Sequence, residues 1–192
     1  MSDAYDYDLI VIGAGTGGNG VARMAAAAGW KVAIIDSLPY GGTCALRGCD
    51  PKKMLVAVTE GVDWAQNLKG KGLEARISVD WPDMMAFKRS FTDAMPPRIE
   101  TGLEKTGVAT LHGDARFTGP DTIELNGESL RARHFHIATG ARPMTLNIPW
   151  RGAVDHQHRL PRVAGAAGPG RLCRRRIHRH GIRPYRETRG SE

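Results

Sequence analysis

The first strongly patterned segment is Tyr7-Asp8-Leu9-Ile10-Val11-Ile12, which is apolar at every position after Asp8 and stops at Gly13. A short, continuous run of branched side chains predicts a strand buried on both faces rather than a helix. From Gly17 to Ala28 the residues are small and rich in alanine, with Gly29 as a stop, which predicts a closely packed helix. Lys31 to Ile35 reads as a second buried strand, closed by Asp36. Strand, helix and strand in so short a span form a βαβ unit, whose crossover makes the two strands parallel.

Leu38 to Asp50 reads as a glycine-rich loop, and Pro51 as the first position of a helix reaching Leu68. Met84, Phe87, Phe91 and Met95 then recur at helical spacing until Pro96-Pro97 interrupts the pattern. From Val108 the period changes to two, over Val108–His112, Ala115–Thr118, Thr122–Leu125 and Glu128–Arg131. Asn126-Gly127 between the last two is a hairpin signal. His134–Ala138 reads as a final strand ending at Thr139-Gly140. The expected class is α/β: a parallel sheet carrying the βαβ unit, plus a small antiparallel β-meander.

From Trp150 no period can be counted. Composition sharpens that division. The whole chain is 41% hydrophobic and 24% charged, which excludes wholesale disorder, and its net charge of +7 suggests a polyanionic partner. The charge is unevenly placed, however. Residues 1–149 hold 16 Lys+Arg against 17 Asp+Glu, whereas residues 150–192 hold eleven Arg, no Lys and three acids. Two units are therefore expected: an ordered domain over 1–149 and a disordered basic tail over 150–192. No apolar stretch approaches the length of a membrane span, and the acidic start (Asp3, Asp6, Asp8) is unlike a secretory signal. Three cysteines make neither a disulfide scaffold nor a zinc-ribbon set, no metal site is expected, and a cytoplasmic location is the default.

Gly13-Ala14-Gly15-Thr16-Gly17-Gly18 places G-x-G-x-x-G between the first strand and its helix. Gly13 permits the tight turn, Gly15 lets a pyrophosphate approach the backbone, and Gly18 lets helix and strand pack closely. The helix N-terminus offers unpaired amides to the phosphates. Asp36 ends the second strand, where a carboxylate can accept ribose hydroxyls. A glycine loop alone can serve only a turn; the strand, helix and terminal acid together favour a dinucleotide.

Gly41-Gly42-Thr43-Cys44-Ala45-Leu46-Arg47-Gly48-Cys49-Asp50-Pro51-Lys52-Lys53 carries the second candidate chemistry. The two cysteines can bridge if the backbone coils. A helix start and the nearby Arg47, Lys52 and Lys53 are expected to lower a thiol pKa. Two unrelated reduced cysteines are the plainer alternative in a cytosolic protein. Beside a dinucleotide site, a reversible disulfide that accepts electrons is favoured.

These two blocks, with Ile137-Ala138-Thr139-Gly140-Ala141-Arg142-Pro143, closely resemble the flavoprotein disulfide reductases: glutathione reductase, dihydrolipoamide dehydrogenase, mercuric reductase and their relatives. The likeness covers residues 5–149 in the family's order. It implies a Rossmann-like FAD-binding domain, here incomplete, with FAD as the dinucleotide. Gly15, Thr16 and Gly17 would meet the pyrophosphate and Asp36 the adenosine ribose. Gly42, Thr43 and Cys44 would lie along the cofactor, with Lys52 or Lys53 near the reactive edge of the flavin. Gly113 or Ala115 and the Thr139-Gly140 turn would close over it. Cys49 would face the flavin and Cys44 would attack the disulfide substrate. Leu46-Arg47 replaces the family's usual Asn-Val, which leaves the substrate open.

The resemblance also implies an NAD(P)H domain and a dimerisation domain bearing a His–Glu acid–base pair, and neither is recognisable here. His156, His158, His178 and His180 match no such context. An arginine-rich, lysine-free segment is what a GC-rich gene yields when read out of frame. Shifting the frame by one base lets Cys173 onward read VGGGYIAMEFAHIARRAG, which resembles the family's second glycine fingerprint. A one-base shift near Pro149-Trp150 is therefore expected. As it stands, the chain is expected to be a small-molecule disulfide oxidoreductase by descent, without turnover of its own. A non-catalytic FAD-binding redox module is one alternative, decided by whether FAD is retained. Nucleic-acid binding through the arginines is another, but only Tyr185 interleaves an aromatic. A steep salt dependence of DNA binding, lost on deleting 150–192, would mark it.

Overall fold

β1 (Tyr7–Ile12) and β2 (Val32–Asp36) lie side by side and parallel, Leu9 opposite Val32 and Ile12 opposite Ile35, with α1 (Thr16–Ala27) crossing between them. The computed structural model describes residues 5–74 and 77–142, so the readings made for Pro143 and for residues 150–192 lie outside the described residues. β3 (Ala109–His112) continues the sheet beyond β2, also in parallel. On the other side of β1 the chain places β6 (Glu128–Ile137), then β5 (Thr122–Leu125) and β4 (Arg116–Phe117), giving the order β3-β2-β1-β6-β5-β4. β6 is parallel to β1 and antiparallel to β5, and β5 is antiparallel to β4. This is the expected Rossmann-like α/β sheet with a small meander.

Two strands expected at the end of this region prove to be one. Glu128–Arg131 pairs with β5, Ala132–Ile137 pairs with β1, and the strand does not break where it changes partner. A single extended segment can be antiparallel on one edge and parallel on the other, because the partners occupy different halves of its length. The Asn126-Gly127 hairpin is as expected: both residues have positive φ (54° and 87°), the geometry that matches strand twist.

The side chains of β1 and β2 alternate between two apolar clusters, as a strand buried on both faces requires. Leu9, Val11, Val32 and Ile34 meet Ala22 of α1 together with Tyr40, Leu103 and Val108. Ile10, Ala33 and Ile35 meet Ile123, Leu125 and Ala132. Leu103 belongs to α5 (Met95–Glu104), so α1 and α5 share one face of the sheet while the meander contributes to the other.

Four helical expectations are corrected. The segment expected as a loop contains a short helix, α2 (Gly42–Arg47), and the long helix α3 (Cys49–Asn67) starts at Cys49 rather than Pro51. Pro51 still lies in the first turn, where a missing N–H costs nothing. Pro96-Pro97 does not simply interrupt: α4 (Trp81–Thr92) ends before it, and the prolines occupy the first turn of α5. The buried face of α4 is Met84, Met85, Lys88 and Thr92; Phe87 is 51% exposed and Met95 belongs to the next helix.

Candidate functional site

The backbone bonds Gly13 N–H to Ile35 O (2.7 Å), Gly113 N–H to Asp36 O (3.1 Å) and Ala138 N–H to Ile12 O (2.8 Å) bring the exits of β1, β3 and β6 to one edge. That edge is the carboxyl end of the parallel strands, and chain order reverses between β1 and β6 there. Open α/β sheets bind ligands at this point.

The glycine loop is built by close approaches. Gly13 has φ of +110°, and a Cβ on it would lie 2.3 Å from Ala138 O. A Cβ on Gly18 would lie 1.9 Å from Gly13 O, so this glycine lets α1 pack against the loop. Gly15 caps α1 with no side-chain partner, which leaves first-turn amides without a side-chain acceptor. Thr16 and Gly17 are exposed, and a Cβ on Gly17 would meet nothing within 4 Å.

Asp36, expected at a ribose, is half-buried and already occupied: Oδ2 accepts the Ala14 N–H at 2.8 Å and Oδ1 the Leu38 N–H at 2.9 Å. Each oxygen keeps a further lone pair, so holding the loop does not prevent it from accepting a hydroxyl.

The cysteine block folds back onto this loop. Gly41 N–H donates to Ala14 O at 3.1 Å. Gly42, with φ of +62°, has its Cβ position 2.6 Å from Gly15 Cα. Ala14, Gly15, Thr16 and Asn19 on one side and Gly41, Cys44, Ala45, Asp50 and Ile99 on the other enclose a groove of about 350 Å³. The sequence supplied no reason to include Asn19, Asp50 or Ile99. A lone amide one turn into an alanine-rich helix was the only available signal for Asn19.

Both cysteines are free thiols, Cys44 half-buried and lining the groove, Cys49 exposed at the start of α3. The Cys44 pKa is raised, so Cys44 is not a thiol lowered in the way expected for one of this pair. Its hydrogen bond with Cys49 is the main cause, followed by partial burial and the charges of Cys49 and Asp50. The expected cations do not offset this: Lys52 and Lys53 are exposed, and Lys53 pairs with Asp50 at 3.9 Å. The order of exposure is the reverse of what the division of roles between Cys49 and Cys44 would give from access alone.

Gly113 and Ala115 have places in the fold independent of any ligand. A Cβ on Gly113 (φ +148°) would lie 2.5 Å from Asn126 Oδ1, and Ala115 packs into the second apolar cluster. Thr139 and Gly140 are exposed just beyond β6. Thr43 is exposed on α2. Among the described residues no cluster of three metal-ligating side chains is found, and no helix is long and apolar enough to cross a membrane.

The sequence profile of the pyridine nucleotide-disulphide oxidoreductases matches residues 7–172. The chain is 39% identical over 141 residues to a glutathione reductase of Burkholderia cepacia, covering 73% of this chain and 31% of that protein. It is 39% identical over 140 residues to a dihydrolipoyl dehydrogenase of Thermus scotoductus, covering 73% and 30%. A mercuric reductase of Bacillus cereus is 34% identical over 154 residues, covering 79% and 24%. The chain thus spans at most about a third of the length of these relatives.

Proposed function

The chain belongs to the pyridine nucleotide-disulphide oxidoreductases, and on that premise we propose that it is the FAD-binding part of an NAD(P)H-driven oxidoreductase acting on a small disulfide or related soft acceptor. One observation carries the reading. The Gly42–Gly15 approach, which leaves no room for a Cβ, puts the dinucleotide loop and Cys44, the first of the two cysteines, on one groove. The residues present fit the cofactor: the Gly15 cap leaves amides for a pyrophosphate, Gly17 faces open space, and Asp36 retains lone pairs for a ribose.

When bound, FAD supplies a two-electron carrier beside the thiols. The chain's own part is to hold Cys44 and Cys49 within hydrogen-bond reach of each other. Conversion of this dithiol to a disulfide forms one S–S bond and releases two electrons and two protons; an acceptor disulfide that takes them becomes two thiols. Attack requires thiolate, and the hydrogen bond from Cys49 raises the pKa of Cys44, the thiol on the acceptor side. Cys49 on the flavin side and Cys44 on the acceptor side are the roles we assign. The matched region is at most about a third of these relatives, and we assign the nicotinamide site and a homodimer interface bearing the His–Glu pair to the part of such a protein outside it.

The test is anaerobic photoreduction of FAD bound to the chain after mild oxidation of its thiols. The appearance of two thiols per chain, both on the Cys44–Cys49 peptide, supports the reading. Failure of the purified chain to bind FAD, or reduction of bound flavin without new thiols, overturns it.

For residues 150–192 we propose that the tail is read one base out of frame. The supporting fact is its composition, eleven arginines and no lysine. Resequencing across the coding DNA decides this: loss of one base at codons 145–155 makes the shift a reading error and restores a longer protein, an unchanged sequence makes it a genuine insertion in the gene, and actual codons whose shifted frame does not spell VGGGYIAMEFAHIARRAG from Cys173 reject the proposal.

A further inference from the structure

Asn19 lies in the first turn of α1, its N–H donating to Gly15 O at 2.9 Å, and its side chain lines the groove. Four residues on, and so on the same face of the helix, Arg23 donates from Nε to Asn19 Oδ1 at 2.8 Å. A guanidinium can only donate, so the atom facing it must be the amide oxygen. That fixes which way the Asn19 amide is turned. Its Nδ2 has no hydrogen-bond partner among the described residues, and Asn19 is one of the residues that line the groove.

The same guanidinium reaches across to α5, where Nη1 donates to Gly102 O at 2.8 Å. Gly102 leaves room for it, since a Cβ there would lie 2.9 Å from Nη2. One turn earlier on α5, Ile99 forms the opposite wall of the groove. Arg23 therefore sets both the orientation of Asn19 and the position of the helix that faces it.

We propose that Asn19 is a phosphate-binding residue of this groove, donating from Nδ2 to the pyrophosphate of the dinucleotide, and that Arg23 is the positioning residue that presents it. The inference rests on the dinucleotide reading above and adds a side-chain donor to the backbone amides at the start of α1. A neutral donor next to those amides strengthens the hold on a dianion without adding a cation that would have to be desolvated.

Asn19→Asp separates the two roles. It keeps an oxygen for Arg23, so the brace between α1 and α5 persists, but it replaces the NH₂ group with a carboxylate oxygen facing the phosphate. The full chain and this variant are titrated with FAD, ADP and adenosine, and their thermal unfolding is followed. The expected result is an unfolding midpoint equal to or above that of the parent chain. Affinity for FAD and ADP should fall at least about tenfold, with adenosine binding unchanged. If the variant does not fold, Asn19→Leu is read by the same ratio of ADP to adenosine binding. Equal losses for ADP and adenosine, or unchanged FAD binding by a folded variant, overturn the proposal. If the parent chain binds neither FAD nor ADP, the dinucleotide reading itself fails and takes this inference with it.

Discussion

The Asp36 carboxylate accepts the Ala14 N–H at 2.8 Å, tying the end of β2 to the glycine loop that leaves β1. The second oxygen accepts the Leu38 N–H in the turn toward the cysteine block. One acidic side chain thus organises both segments that meet at the groove, before any ligand is considered.

Asp36→Asn should destabilise the fold by about 1–3 kcal/mol, because an amide offers one acceptor where two backbone donors need one each. Urea denaturation of the variant measures the loss, and an unchanged midpoint would show that these bonds are made equally well by water.

Gly17 and Gly18 should respond in opposite ways to alanine. Gly18→Ala sets a methyl 1.9 Å from Gly13 O and 3.0 Å from Val11 Cγ1, and should cost about 3 kcal/mol or more. Gly17→Ala meets nothing within 4 Å and lies inside α1, so stability should be unchanged or rise by up to about 1 kcal/mol. FAD affinity should fall in both. Paired denaturation and flavin titration separate the structural glycine from the one that faces the ligand.

Cys44 should alkylate at a higher pH than an ordinary cysteine, since its bond to Cys49 raises its pKa. Cys49→Ala removes the leading cause and should move the Cys44 profile to lower pH, as read by iodoacetamide labelling and peptide mass spectrometry. The linked effect on stability has a definite sign. The folded chain keeps a proton that the unfolded chain gives up, so this contribution is present below the ordinary thiol pKa and lost as pH rises through the raised one.

Tyr40 is fully buried, its hydroxyl 2.9 Å from both Ile34 O and Leu111 O and accepting the Leu111 N–H at 3.0 Å. Tyr40→Phe should cost about 1–3 kcal/mol at neutral pH. Burial, the main cause, raises the phenol pKa well above its ordinary value. Stability of the parent chain should therefore fall as pH rises above about 10, where an unfolded tyrosine ionises. The phenylalanine variant lacks this loss, so the gap between the two should narrow at high pH in denaturation experiments.

The sequence by itself determined β1, α1 and β2, the glycine loop, the Asn126-Gly127 hairpin and the association of two cysteines with a helix start. These depend on neighbours in the chain: a period of two or of 3.6, a glycine where φ must be positive, a proline where an N–H is not needed. Tertiary structure decided the rest. β6 is one strand because β1 and β5 claim different halves of it. The inward face of α4 is set by what it packs on rather than by its own pattern of large residues. Cys44 has its pKa raised chiefly by its hydrogen bond with Cys49, the opposite direction to the one the neighbouring cations in the sequence suggested. Arg23 reaches Gly102 across 79 residues of chain, so the orientation of Asn19 depends on a partner that no local pattern contains. Periodicity records which face of an element is apolar; contacts between residues far apart in the chain decide what that face meets, and here they shape the groove.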